Sequence, residues 1–72
     1  MCFPKHRRIL GETIRRFRKR ACLTQEQLAE KAGLSPKFLG EVERASVNIS
    51  IDALIRIANA LTVQVNDLTR GF

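Results

Sequence analysis

The chain has no long apolar run, few cysteines and a single histidine. No apolar stretch approaches the ~20 residues of a membrane-spanning helix, and none follows the basic residues near the N-terminus, so the sequence indicates neither a membrane protein nor a signal peptide. Two cysteines are too few for a disulfide framework, and we expect reduced thiols in a cytoplasmic protein. Cys2, Cys22 and His6 lack a fourth ligand and the spacing of a zinc site, so we expect no metal and no cofactor.

The sequence also lacks the features of an enzyme. It contains no phosphate-binding loop, no paired carboxylates suited to a pocket, and no nucleophile beside a candidate base. We therefore expect neither catalysis nor a small-molecule substrate. A chain of 72 residues without repeats or a Gly/Ser linker has room for one small domain. We predict a single domain over residues 1–72, in which residues 1–5 form a mobile arm.

The charge is concentrated in the first part of the chain. The net charge is +6, and the first 20 residues carry eight basic groups against Glu12 alone. The other 52 residues carry five basic and six acidic groups. Such a patch favours a polyanionic partner, for which nucleic acid and an anionic membrane surface are both candidates. A solvated helix face is the alternative.

Apolar residues recur at helical spacing near the N-terminus. After Ile9, the residues Leu10, Ile14, Phe17 and Ala21 are separated by steps of four, three and four. This spacing predicts an amphipathic helix that ends near Ala21. No alternating pattern bounded by hairpin turns indicates a strand.

Capping residues mark the helices that follow. Thr24 and Gln27 form a capping box, and Gly33 suits the C-terminal end of the same helix. Ser35 is a good N-cap, and Pro36 suits the first helical position. A fourth helix begins after Ser50, and a last helical turn covers Val65 to Thr69. The fold predicted is all-α, a compact bundle of five short helices.

The segment from Gln25 to Arg44 has the features of a helix-turn-helix. Two short helices are joined by a short turn with Gly33 at the junction, and Ala29 provides a small residue where the helices cross. Apolar residues occupy the positions that face the rest of the core, namely Leu28, Ala32, Leu34, Leu39 and Val42. The recognition helix of this unit starts at Ser35.

Residues 24–61, TQEQLAEKAGLSPKFLGEVERASVNISIDALIRIANAL, resemble the lambda-repressor-like, or Xre-type, helix-turn-helix family of bacterial and phage regulators. The resemblance extends over about residues 9–68. The small size and the tight N-I-S connection are also similar to restriction–modification controller proteins. The resemblance implies a lambda-repressor-like fold, double-stranded DNA as the partner and a role in transcription regulation.

The resemblance also assigns site residues. It implies DNA base contacts by Pro36, Lys37, Gly40 and Glu41, phosphate contacts by Gln25, Ser35, Arg44 and Asn48, and a structural ion pair between Arg18 and Glu43.

Helical geometry supports the same face independently. Lys37, Glu41 and Arg44 are four and three positions apart, so they line one side of the recognition helix. Lys37 can donate to O6 and N7 of guanine, and Glu41 can accept from N4 of cytosine. Pro36 offers only apolar contact, and Gly40 would let the helix approach DNA closely. The alternative for Glu41 is that it only orients Lys37 through an i,i+4 pair.

Some positions depart from the family pattern. Ala45 stands where the family commonly has glycine, so we expect a less tight exit from the recognition helix, and Ile49 stands where a proline is common. Pro36 and Gly40 replace polar residues that often read bases.

The apolar residues beyond one helix stripe suggest a dimer. One recognition helix covers only a few base pairs, so a homodimer on a palindromic operator is the usual solution. The dimer interface predicted consists of Ile55, Val63, Val65, Leu68 and Phe72; the alternative is that these residues complete the core.

Competing functions are an antitoxin-type interaction module that also binds DNA, and non-specific binding of RNA or membrane through residues 5–20.

Overall fold

The computed structural model describes residues 4–70, which form five helices and contain no strand. In chain order the helices are α1 (Pro4–Arg20), α2 (Gln25–Ala32), α3 (Pro36–Glu43), α4 (Ile51–Leu61) and α5 (Val65–Leu68). The predicted all-α bundle is confirmed over these residues. None of the helices in this part of the chain is both long and apolar enough to cross a membrane.

Helix α1 begins at Pro4, earlier than the apolar spacing indicates. Proline suits the first turn of a helix because the N–H that it lacks would have no partner there. Lys5 and Arg8 are exposed, so the hydrophobic pattern alone misses this first stretch of helix. The predicted arm is therefore wrong for Pro4 and Lys5, and the rest of it, residues 1–3, lies outside the described part of the chain.

Side-chain caps begin the next three helices where the sequence predicts them. The Thr24 hydroxyl accepts from the Gln27 N–H at 3.1 Å, and Oε1 of Gln27 accepts from the Thr24 N–H at 2.9 Å. The Ser35 hydroxyl accepts from the N–H of Phe38, and the Ser50 hydroxyl does the same for helix α4. Each cap satisfies a backbone donor that lacks a helical partner, which contributes about 1 kcal/mol.

Four helices end in the same left-handed turn, and only one of them uses glycine. A residue one or two positions after each helix has a positive φ: Cys22 (60°), Gly33 (71°), Ala45 (62°) and Thr62 (56°). At the end of α3 the N–H of Ala45 donates to Val42 O and the N–H of Ser46 donates to Glu41 O, both at 3.0 Å. This pair of bonds is the Schellman motif. The expectation of a less tight exit is wrong, because Ala45 adopts the turn that glycine usually provides.

The core lies where α2 packs on α4 and where α3 packs on α1 and α2. Its most deeply buried large side chains are Ile14, Leu28, Leu39, Ile57 and Leu68. Helix α1 crosses the end of α3 closely at Gly11. A β-carbon at Gly11 would lie 2.5 Å from the backbone oxygen of Val42 and 2.8 Å from that of Glu43. This close crossing fixes the end of α3 against the longest helix of the bundle.

Candidate nucleic-acid interface

Helices α2 and α3 form the helix-turn-helix that the sequence predicts. The turn between them is Gly33, Leu34 and Ser35. Gly33 has φ 71°, and the Leu34 N–H donates to Ala29 O at 2.8 Å, which closes the end of α2. Ala29 is fully buried, so the small side chain allows the close packing of the pair. The helix-turn-helix therefore has two helix N-termini, one at the first residue of α2 and one at the first turn of α3. We call them the two free helix starts.

A buried ion pair joins two helices at this unit. Arg18 on α1 donates from Nε to Oε2 of Glu43 at 2.7 Å and from Nη2 to Oε1 at 3.1 Å. Nη1 of Arg18 donates to the backbone oxygen of Leu23 at 2.9 Å. The two side chains are only 11% and 3% exposed. The pair that the family resemblance implies is therefore present, and it ties α1 to the end of α3.

Gln25 extends this pair to the start of α2. Its Nε2 donates to Oε1 of Glu43 at 3.0 Å, so one carboxylate accepts from Arg18 and from Gln25. We call these three side chains the Arg18–Glu43–Gln25 network. Sequence reasoning missed the link to Gln25 because residues 25 and 43 are far apart in the chain. The network orients the Gln25 amide and leaves its second N–H for another partner.

The exposed side of α3 carries charged side chains that lack partners in the described residues. Pro36 and Lys37 are exposed and Glu41 is half-buried. Among residues 4–70, neither the ammonium group of Lys37 nor the carboxylate of Glu41 takes part in a hydrogen bond or ion pair. The alternative in which Glu41 only orients Lys37 therefore has no ion pair to support it. Both groups are available to meet base edges.

Gly40 lies on the same side of α3 as Lys37 and Arg44, because it is three positions after the first and four before the second, but other side chains cover it. Its backbone is buried, and a β-carbon there would lie 3.2 Å from Nη1 of Arg44 and 3.4 Å from Oε1 of Gln25. Two polar side chains cover Gly40, and its assignment as a base contact stays a prediction.

The predicted phosphate contacts surround the two free helix starts. Gln25 is the first residue of α2 and Ser35 is the N-cap of α3. Arg44 follows α3 directly and is exposed, and Asn48 is exposed in the loop before α4. Backbone N–H groups at helix starts favour anions, so the arrangement suits a phosphate backbone. These four assignments stay predictions.

The basic patch of α1 is divided between two sides of the helix. Arg18 faces α3 through Glu43, whereas Arg16 and Arg20 line an open groove between α1 and α5, which also includes Ile9, Thr13, Phe17, Asp67 and Arg70. The Arg20 guanidinium lies 5.9 Å from the centre of the Phe17 ring. The patch is therefore not one continuous surface beside the recognition helix.

The residues predicted for a dimer interface differ in how far they are exposed. Ile55 is 43% exposed, and Val63 and Val65 are half-buried. Leu68 is fully buried in the core, so its assignment to the interface is wrong, because a side chain without exposed area in one protomer has no surface to offer a second. Phe72 lies outside the described residues. Sequence reasoning missed Ile51, which is 71% exposed one helical turn before Ile55 and was visible by that spacing.

Comparison with known proteins agrees with this geometry. Residues 14–68 match the family model described as Helix-turn-helix (HTH_3). The chain is 41% identical over 68 residues to the control protein C.SmaI of Serratia marcescens, covering 94% of this chain and 81% of that protein. The restriction-modification controller protein C.AhdI from Aeromonas hydrophila has a structure similar to this one, with a TM-score of 0.85 and 32% identity over 86% of this chain and 94% of that chain.

One of the solved structures similar to this chain is a complex with DNA. The P22 c2 repressor, solved in complex with a synthetic operator, has a TM-score of 0.80 and 27% identity over 88% of this chain and 96% of that chain. The fold and the sequence thus agree with one group of regulators. The chain belongs to the helix-turn-helix family HTH_3, as a DNA-binding transcriptional regulator of the lambda-repressor-like, Xre type.

Proposed function

We propose that this protein is a sequence-specific regulator that binds a palindromic operator on cytoplasmic double-stranded DNA as a homodimer. The observation that carries the proposal is the Arg18–Glu43–Gln25 network. It fixes the start of α2 relative to α3 while Lys37 and Glu41 stay unpaired. A helix held in this way can enter the major groove with its base-reading groups already placed.

Base reading falls to the first turns of α3. Lys37 donates to O6 and N7 of guanine, Glu41 accepts from N4 of cytosine, and Pro36 packs on a thymine methyl. Phosphates bind to Gln25, Ser35, Arg44 and Asn48, where helix starts and a guanidinium favour anions. Lys37 and Glu41 therefore determine which base sequence is bound, and the four phosphate-binding residues determine the position of the protein along the duplex.

Footprinting on the DNA upstream of the protein's own gene identifies the operator, and binding to that duplex then tests the assignment. Lys37→Ala and Glu41→Ala should each lower the discrimination between operator and unrelated DNA by about 1–3 kcal/mol. Lys31→Ala is the matched control, because Lys31 is an exposed lysine in the last turn of α2. Unchanged discrimination in both α3 variants, or an equal loss in the control, would show that α3 does not read the sequence.

The dimer proposal rests on the exposed apolar residues of the C-terminal half. Ile51 and Ile55 are one helical turn apart on α4, and Val63 and Val65 are partly exposed beside α5. To bind two half-sites of a palindrome, a two-fold dimer formed through these surfaces needs its recognition helices about one DNA turn, ~34–36 Å, apart. Sedimentation should give a dimer for the wild type and a monomer for Ile55→Glu. A wild-type monomer, with and without operator, would refute the dimer.

The same isoleucines favour a second candidate, an antitoxin-type module whose apolar surface binds a different protein. Exposed apolar residues on a small domain are typical of protein contacts. Sedimentation distinguishes the two, since a partner-binding module stays monomeric alone and a self-associating one does not. Gene neighbourhood adds a second test: an adjacent toxin gene favours the module, and an adjacent methyltransferase–nuclease pair favours a controller.

A further inference from the structure

Gly40 is a glycine in the interior of a helix without a backbone reason to be one. Of the described glycines, Gly33 has a positive φ and Gly40 does not. Glycine is an unfavourable residue in the interior of a helix because it loses more backbone freedom on folding than other residues. The reason for a glycine at position 40 therefore lies in the space beside it and not in its backbone conformation.

Two polar side chains occupy that space. Nη1 of Arg44 and Oε1 of Gln25 lie 3.2 Å and 3.4 Å from the point where a β-carbon of residue 40 would stand. Gln25 is held from the other side by Glu43, through a hydrogen bond of 3.0 Å from Nε2. Within residues 4–70, Arg44 forms no ion pair, so its guanidinium is available to bind an anion.

We infer that Gly40 is a positioning residue: its missing side chain lets the Arg44 guanidinium lie across α3 beside the Gln25 amide, so that both hold one DNA phosphate. A guanidinium and an amide N–H at the start of a helix are donors that suit a single phosphate oxygen pair. The inference rests on the proposed function, which assigns a phosphate contact to each of the two side chains. It goes further in joining them into one site that depends on the size of residue 40.

The test compares Gly40→Leu with the wild type on the operator and on an unrelated duplex of the same length. Leucine is a better helix former than glycine but crowds Arg44 and Gln25, so the melting temperature is measured for each variant and affinities are compared at a temperature where both proteins are folded. We expect affinity for both duplexes to drop by about tenfold, the size of one lost charge-assisted hydrogen bond, and the salt dependence of binding to fall by about one phosphate. Gly40→Ala should lose less, because its methyl group requires Arg44 to move by only a few tenths of an ångström.

A second background separates positioning from direct contact. In a chain that carries Gln25→Ala and Arg44→Ala, Gly40→Leu should have no further effect on affinity. A loss of the same size in that background would show that residue 40 limits the approach of α3 to DNA, and the inference would be overturned. If Gly40→Leu bound both duplexes as tightly as the wild type does, or lost affinity only for the operator, the inference would also be overturned. A wild type that binds neither duplex would instead refute the proposed function itself.

Discussion

Replacing Glu43 with alanine should remove a large part of the stability of this domain. The Glu43 carboxylate is 3% exposed and accepts two hydrogen bonds from Arg18 and one from Gln25. Without it, a guanidinium that is 11% exposed has no counter-charge in the same place. Breaking a buried ion pair by removing one partner costs about 3–5 kcal/mol. At about 0.05–0.15 kcal/mol per residue, a chain of this length has ~4–11 kcal/mol in total, so Glu43→Ala should be marginally folded.

Urea unfolding followed by circular dichroism measures this loss. With a slope of about 1 kcal/mol per molar urea for a small domain, the midpoint should move down by roughly 3 M or more. Asp52→Ala is the matched control, because Asp52 pairs with Arg56 at 3.1 Å on the exposed surface of α4. Exposed pairs contribute about 0–1 kcal/mol, so the control should move little. Equal shifts in both variants would refute the view that the network holds the three helices.

A double replacement separates stability from DNA binding. Arg18→Met combined with Glu43→Leu substitutes apolar side chains of similar size for the buried pair, and such changes are often neutral or stabilising. We expect most of the lost stability to return. The Gln25 amide, however, has then lost its acceptor, so affinity for DNA should stay reduced although the domain is folded. Wild-type affinity in the refolded double variant would show that Glu43 does not orient Gln25.

Three further predictions concern packing and turns, and urea unfolding measures each of them. Ala45→Gly should stabilise the domain by up to about 1 kcal/mol, because Ala45 has φ 62° and the left-handed region is strained for any residue with a β-carbon; a lower midpoint would contradict this. Leu68→Ala should cost about 2–5 kcal/mol and leave the sedimentation of the folded protein unchanged, because this side chain is in the core; a change of association state without a loss of stability would return Leu68 to the interface. Gly11→Ala should lower the free energy of unfolding by about 1–3 kcal/mol or more, because the new β-carbon would lie 2.5 Å from the backbone oxygen of Val42, which cannot move aside. An unchanged midpoint would mean that α1 and α3 can move apart with little loss of stability.

Local chemistry made the helix starts predictable. Thr24 with Gln27, and Ser35 with Pro36, satisfy backbone donors within a few residues, so the sequence contains both partners of each contact. The start of α1 was not predictable from hydrophobic spacing, because Lys5 and Arg8 are exposed polar residues and only the sequence position of Pro4 marks the helix start.

Contacts between distant residues were harder to predict. The burial of Gly40 depends on Gln25, which belongs to another helix, and on the path of the Arg44 side chain across α3. The burial of Leu68 next to the partly exposed Val65 depends on how a four-residue helix sits against α1 and α4. The family resemblance supplied the Arg18–Glu43 pair, which no spacing rule connects.

The close crossing at Gly11 bears on how an operator would be selected. Helix α1 meets the backbone of α3 without an intervening side chain, so the tilt of the reading helix has little freedom to adjust to different duplexes. In the proposed operator complex, the duplex would then adjust to the protein, and the energy of deforming DNA depends on base steps that no side chain touches. Flexible steps such as TA at the centre of a palindrome would then raise affinity through the mechanics of the duplex rather than through its hydrogen-bonding groups.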